Sequence, residues 1–233
     1  MPGDSCRLGA LAVKVSGSLL SPPEPGYLRR LSRELRELAA GGCRVAVVAG
    51  GGRVARDYIA AARASGVREA LLDVLGIEAS RLNALLLAST LYPLAPLRPP
   101  TSVEEAASLL PLYPVVVMGG LQPGQSTNAV AAALAEAVGA SVLVNMLSGV
   151  DGVYAPRPGV PGARRLDRLT YDELWGLVRG AEQSAGGYEL FDHVALSIAR
   201  RSRLKIYFVD GRDPGVLGRI ARGERVGSVV GPG

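Results

Sequence analysis

Three times in this chain an apolar run stops at a loop rich in glycine or serine, and a helix-like segment follows within a few residues. Val45-Ala46-Val47-Val48-Ala49 enters Gly50-Gly51-Gly52-Arg53-Val54-Ala55-Arg56, and Val115–Met118 enters Gly119-Gly120-Leu121-Gln122-Pro123-Gly124-Gln125-Ser126-Thr127. Near the start, Leu11-Ala12-Val13-Lys14-Val15 enters Ser16-Gly17-Ser18. Runs that are apolar on both faces, alternating with helical segments, predict a mostly parallel sheet covered on both sides. Loops without Cβ atoms let backbone N–H groups converge on an anion, and a following helix adds the positive end of its dipole. Three such junctions imply several phosphate groups held together and point to a nucleotide enzyme.

Periodicity places strands at 8–15, 44–49, 115–118, 141–144, 205–209 and 225–230. Helices are expected over 26–41, 54–64, 77–91, 102–110, 127–138, 171–179 and 193–201. The helix at 77–91 crowds Leu82, Leu85, Leu86 and Leu87 and reads as buried on several sides. Residues 93–100 and 151–161 read as proline-punctuated connections.

With 233 residues, 48% of them hydrophobic and 5% aromatic, the chain fits one α/β domain with a Leu/Val/Ala core. No apolar run reaches the roughly 20 residues of a membrane span, and no signal peptide is recognised. The expectation is a cytoplasmic protein without a membrane partner. Net charge is +5, but the basic residues are scattered and not interleaved with aromatics. That pattern fits small polyanionic substrates and argues against nucleic acid. Cys6 and Cys43 lack metal spacing and read as two free thiols. Only two lysines, Lys14 and Lys205, stand against 24 arginines, a bias that suggests a high-temperature source.

Lys14 closes an apolar strand just before a loop, where an ammonium must reach charge or solvent. Beside a phosphate loop it would neutralise charge on a transferring phosphoryl group. Arg56, one turn after the triple glycine, can swing back to a phosphate oxygen. Gln122 and Gln125 can read the polar edge of a base. Asp73 sits in an apolar stretch, where it holds a ribose hydroxyl, accepts from a loop amide, or caps a helix. No His/Cys/acidic cluster marks a permanent metal site; Mg²⁺ usually arrives with nucleotide phosphates. No general base is evident. An acceptor that is itself a phosphate or carboxylate needs none, because its oxygen is already ionised.

The order of these motifs resembles the amino acid kinase superfamily, and within it the archaeal-type uridylate kinase family. It is carried by Lys14-Val-Ser-Gly, Gly50-Gly-Gly-x-x-Ala-Arg56, Asp73-x-x-Gly-Ile-x-Ala-Ser-Arg-Leu-Asn83, Gly119 to Thr127, and Val150-Asp-Gly-Val-Tyr154. The segment from Gly187 to Asp192, Ile206 and Asp210-Gly211 is also similar, so the likeness spans nearly the whole chain. It implies a single domain over 1–233, an open three-layer α/β/α sandwich around one mainly parallel sheet, usually assembled as a hexamer. It implies transfer of the γ-phosphate of ATP, with Mg²⁺, to UMP, giving UDP in pyrimidine biosynthesis. Residues 1–140 would mainly hold UMP and 141–233 mainly ATP. Lys14 and Arg56 would be catalytic. ATP would meet Lys14, Val15, Ser16, Gly17, Ser18, Gly52, Arg56, Ser148, Tyr154 and Arg157. UMP would meet Gly51, Asp73 and the loop Leu121, Gln122, Pro123, Gly124, Gln125, Ser126 and Thr127.

The chain departs from the family pattern at three places. Arg157-Pro158 stands where Asp-Pro is frequent, removing a carboxylate from the adenine side. Asn128 stands where many members carry the aspartate that orients the lysine, which would leave Lys14 less constrained. His193 replaces the usual proline after Asp192. The competing readings are a same-fold kinase for another small anion (isopentenyl phosphate, acetylglutamate or carbamate) and a non-catalytic nucleotide-binding protein. A Rossmann oxidoreductase needs G-x-G-x-x-G after the first strand, and Ser16-Gly17-Ser18-Leu19-Leu20 does not supply it.

Overall fold

The computed structural model describes residues 6, 8–156, 158–179 and 190–232. Its elements run β1 (Ala10–Val15), α1 (Gly17–Leu20), α2 (Pro25–Ala40), β2 (Arg44–Ala49), α3 (Gly52–Ala64), α4 (Glu69–Leu91), α5 (Val103–Leu109) and β3 (Val115–Met118). They continue as α6 (Thr127–Ala137), β4 (Val142–Leu147), β5 (Val153–Ala155), β6 (Arg164–Leu166), β7 (Arg168–Thr170), α7 (Tyr171–Val178), α8 (His193–Arg201), β8 (Lys205–Asp210), α9 (Val216–Ala221) and β9 (Ser228–Gly231).

Seven strands form one sheet in the order β3-β2-β1-β4-β8-β9-β7, and β5-β6 is a separate hairpin. The neighbours β3-β2, β2-β1, β1-β4 and β4-β8 are all parallel, whereas β9 runs antiparallel to β8. The expected three-layer α/β/α sandwich is therefore present. Alternate strand residues feed two cores. Val13, Val15, Val47, Val117, Val144 and Val209 face α2, α4 and α9. Ala12, Val48, Met118, Leu143, Ile206 and Phe208 face α5, α6, α7 and α8. The third helix lies outside the fourth, joined to it through Ala55, Ile59 and Leu72.

Several boundaries differ from the periodicity. Helix α4 starts at Glu69 and takes in the stretch around Asp73, because Leu72 turns inward onto α3. Its Leu82 and Leu85 are 62% and 40% exposed, so it is not buried on several sides. The fourth strand extends to Leu147, fully buried between β1 and β8. The hairpin, β7 and α9 were not anticipated, since pieces of three to six residues carry too little periodicity.

Cys6 and Cys43 are joined in a disulfide across a separation of 37 residues, which corrects the expectation of free thiols. The parallel pairing of Ala10 with Arg44 sets the starts of β1 and β2 side by side, and that brings the cysteines together. The bridge closes a long loop, which constrains the unfolded chain by about 2–4 kcal/mol. Cys6→Ser should therefore lower the melting temperature under oxidising conditions while leaving turnover at moderate temperature intact. Equal melting of the two proteins in the absence of reductant would exclude a stabilising bridge.

Candidate functional site

In an open α/β sheet, ligands bind beyond the carboxyl ends of the strands, where strand order reverses. Here that switch lies between β1, which is followed outward by β2 and β3, and β4, followed by β8. Lys14 stands on one side of it and Asn145 opposite, paired in the β1–β4 register. The apolar strands fix the backbone on both sides, so the loops that leave it start from a rigid floor.

The loops after β1 and β2 interlock. Gly50 N donates to Val15 O at 3.0 Å, and Gly52 takes φ +71°. A Cβ on Gly17 would lie 2.0 Å from Gly52 N, and one on Gly52 would lie 2.2 Å from Gly17 O. The glycines are there because two backbones cross with no room for a side chain. Above them, Arg56 Nη2 donates to Ser18 Oγ at 3.3 Å, so α3 reaches back over the first loop. Val15 is fully buried in the core and its carbonyl is bonded to Gly50, so its side chain serves packing instead of ligand contact. Ser16 is also buried.

Helix α4 holds the two glycine loops together. Asn83 Nδ2 donates to Gly50 O at 2.8 Å and Gly51 O at 3.1 Å. Ser80 Oγ accepts from Gly120 N at 2.7 Å, while Arg81 donates to Gly120 O and Leu121 O. Asp73 Oδ2 accepts from Gly124 N at 2.9 Å, the loop-amide option among those open for it. These side chains lay within the quoted motif, but their targets are remote in sequence and could not be read from it.

In the loop from Leu121 to Thr127, Gln122, Pro123 and Gly124 are exposed, with Leu121, Gln125 and Thr127 half-buried. Ser126 caps α6 by accepting from Asn128 N at 3.1 Å and Ala129 N at 3.0 Å, and its hydroxyl donates to Asp192 Oδ2. The serine hydroxyl and carbonyl are thus both engaged within the protein.

Lys14 is buried, 8% exposed, and not at a solvent-facing strand end. Burial lowers its ammonium to about 8, with Asp192 pulling in the opposite direction. The negative charge acting on Lys14 comes from Asp192. Asp192 lies in the closing motif, where nothing in the local sequence assigns it a role.

On the other half of the sheet, Ser148 follows β4 half-buried. Tyr154 Oη donates to Asp151 Oδ1 at 2.7 Å, and Arg165 Nη1 contacts Asp151 Oδ2 at 2.7 Å. The tyrosine hydroxyl, and less strongly Arg165, hold the Asp151 carboxyl below its usual range against the opposing effect of burial. Asp151 and Arg165 border a cavity of about 460 Å³ lined also by Asp210, Arg212 and Val216. Arg157, assigned to ATP, lies outside the described residues, as do positions 187–189 of the closing motif. Among the described residues no three His, Cys, Asp or Glu side chains converge on a metal position, and no helix is long and apolar enough to cross a membrane.

Lys14, the interlocked glycine loops and the capped start of α6 lie at the carboxyl ends of β1, β2 and β3, where an open sheet of this kind binds its ligands. A uridylate kinase from Aeropyrum pernix is 53% identical over 95% of this chain and 98% of its own. One from Hyperthermus butylicus is 46% identical over 95% of this chain and 98% of its own. The crystal structure of a uridylate kinase from Archaeoglobus fulgidus superposes with a TM-score of 0.85 at 38% identity, covering 95% of this chain and 99% of that one. A UMP kinase from Bacillus anthracis shares the fold, with a TM-score of 0.79 at 22% identity over 96% of each chain. The model of the amino acid kinase family matches residues 10–210, a span that takes in both glycine loops, Lys14 and Asp192, and the chain belongs to that family.

Proposed function

We propose that this protein is a UMP kinase, transferring the γ-phosphate of ATP to the phosphate of UMP. The observation that carries the reading is near-full-length similarity to proteins named uridylate kinase, at 53% and 46% identity. The site fits it chemically. Both reacting groups are phosphates, and the acceptor oxygen is ionised at neutral pH, so no general base is required. What the reaction needs is alignment and charge stabilisation. In this reading Lys14 lies between donor and acceptor phosphates, and Arg56 binds the donor phosphates from α3. Amides of Gly17, Ser18 and Gly52 add neutral donors.

The β3-β2-β1 half, with Gly51, Asp73 and Leu121–Thr127, takes UMP. Asp73 keeps one carboxylate oxygen for the nucleotide while the other holds Gly124. The β4-β8 half, with Ser148, Tyr154 and the cavity beside Asp210, takes ATP. Mg²⁺ is carried on the ATP phosphates and neutralises part of their charge.

The decisive assay is ADP release with ATP·Mg²⁺ against UMP, CMP, dUMP, AMP, isopentenyl phosphate and acetylglutamate. Fast turnover with UMP is expected. Turnover with isopentenyl phosphate or acetylglutamate instead would overturn the role given to residues 121–127, and tight nucleotide binding without turnover would make the protein a binder.

The outward face of α4 carries Leu71, Val74, Leu82 and Leu85, each at least 40% exposed and spaced along one helix side. Glu78 interrupts the row between Val74 and Leu82, which leaves two exposed apolar pairs for a partner to cover. In the proposed assembly, a hexamer, this face packs against another subunit. Leu82→Glu should reduce the mass seen by light scattering to that of a smaller species; an unchanged mass would place the interface elsewhere.

A further inference from the structure

A line of buried polar groups runs beneath the phosphate site. Asn145 is fully buried, and its Nδ2 donates to Asn128 Oδ1 at 3.4 Å and to Leu190 O at 3.3 Å. Asn128, 5% exposed, gives its backbone N–H to Ser126 Oγ, and the Ser126 hydroxyl donates to Asp192 Oδ2. Asp192 is 3% exposed and caps α8 by accepting from Ala195 N at 2.9 Å. Both partners of its carboxylate are neutral, so they fix its position and leave its charge uncompensated. Lys14 is the buried cation at the same strand ends.

We propose that Asp192 is the positioning residue for Lys14: it supplies the counter-charge that Asn128 lacks, and through Ser126 it ties that charge to the acceptor loop. Asn145 completes the arrangement. Its Oδ1 is a buried acceptor without a hydrogen-bond partner, on the residue paired with Lys14 across β1 and β4. Paired residues of parallel strands present side chains to the same face, so this acceptor offers the ammonium a second hold. A buried lysine carrying a formal charge beside an orphaned amide oxygen and an uncompensated carboxylate is otherwise expensive on all three counts.

The other groups around Lys14 do not compete for this role. The second strand sets Val48 beside it, and α6 begins with Thr127, Asn128 and Ala129, none of them charged. Arg56 lies across the loop on Ser18. His193, next to Asp192, packs its ring against Trp175 at 4.4 Å between centroids. Asp192 is the charged group whose field acts on Lys14 among the described residues.

The inference rests on the proposed catalytic role of Lys14 only for its consequence in turnover; the coupling itself is measurable without an assay. With two lysines in the chain, labelled-lysine NMR resolves Lys14 beside one internal control, the exposed Lys205. Asp192→Asn and Asp192→Ser both keep a good helix cap, so the second is available if the first does not fold. In either variant the Lys14 titration should move at least about one unit lower than in the unmutated protein, with Lys205 unmoved. Asp192→Glu, which keeps the charge, should restore most of it. The alkaline limb of kcat/KM, which reports the free protein, should move with the titration. A Lys14 titration unmoved in Asp192→Ser, or shifted equally in Asp192→Glu, overturns the proposal. A titration that moves while the limb of kcat/KM stays supports the coupling and removes Lys14 from the transfer step instead.

Discussion

Lys14→Ala is expected to lower turnover with ATP and UMP at least about a hundredfold, the scale of losing one preorganised electrostatic group. The loss should appear mainly in kcat, because the charge on the transferring phosphoryl group is greatest in the transition state. The pH profile gives a second signature. Burial sets the ammonium of the unliganded protein at about 8, so kcat/KM should fall as pH rises through that value. Lys14→Arg, charged at every accessible pH, should be slower but lack that limb.

Stability runs the other way. The folded-state value lies below the ordinary 10.5, so between about 8 and 10.5 the unfolded chain binds a proton that the folded one does not. Folding stability should therefore rise with pH across that window. Below it, the buried ammonium costs on the order of 3 kcal/mol. Lys14→Met combined with Asp192→Asn, which leaves neither charge buried alone, should accordingly raise the melting temperature at pH 7 while abolishing turnover, the trade-off of residues kept for function. A variant that loses stability and activity together would mark Lys14 as a structural residue.

Gly17→Ala should be comparably damaging by a different route. The new Cβ would sit 2.0 Å from Gly52 N and 2.6 Å from Gly50 C and Gly52 Cα, all backbone atoms that no rotamer change can move aside. The loops after β1 and β2 must separate, and interiors packed to crystal-like density pass on such a shift. A misplacement of about 1 Å at the phosphate site is enough for a hundredfold loss. Stability should fall by about 3 kcal/mol or more. Gly66→Ala is the control: φ is +79° there but nothing lies within 4 Å. It should cost about 1–2 kcal/mol from backbone strain alone and spare activity. Near-normal kinetics in Gly17→Ala would mean that the two loops are not held in contact during turnover.

Helix α8 was read at His193–Arg201 and is found there, and strands β2 and β3 likewise. Apolar runs, glycine stops and helical spacing are local, and burial on two faces leaves them few alternatives. The glycine loops were legible for the same reason: a backbone that admits no Cβ leaves its mark in composition. Other features depend on which strands become neighbours, and strand order is not written in any window of sequence. Setting β1 beside β2 pairs Cys6 with Cys43. Setting β1 beside β4 places Lys14 against Asn145. Packing α8 beside α6 carries Asp192 to Ser126, so the charge missing at position 128 arrives from a remote segment. Electrostatic attraction depends on distance in space and not along the chain, which is why the lysine was legible in the sequence and its counter-charge was not.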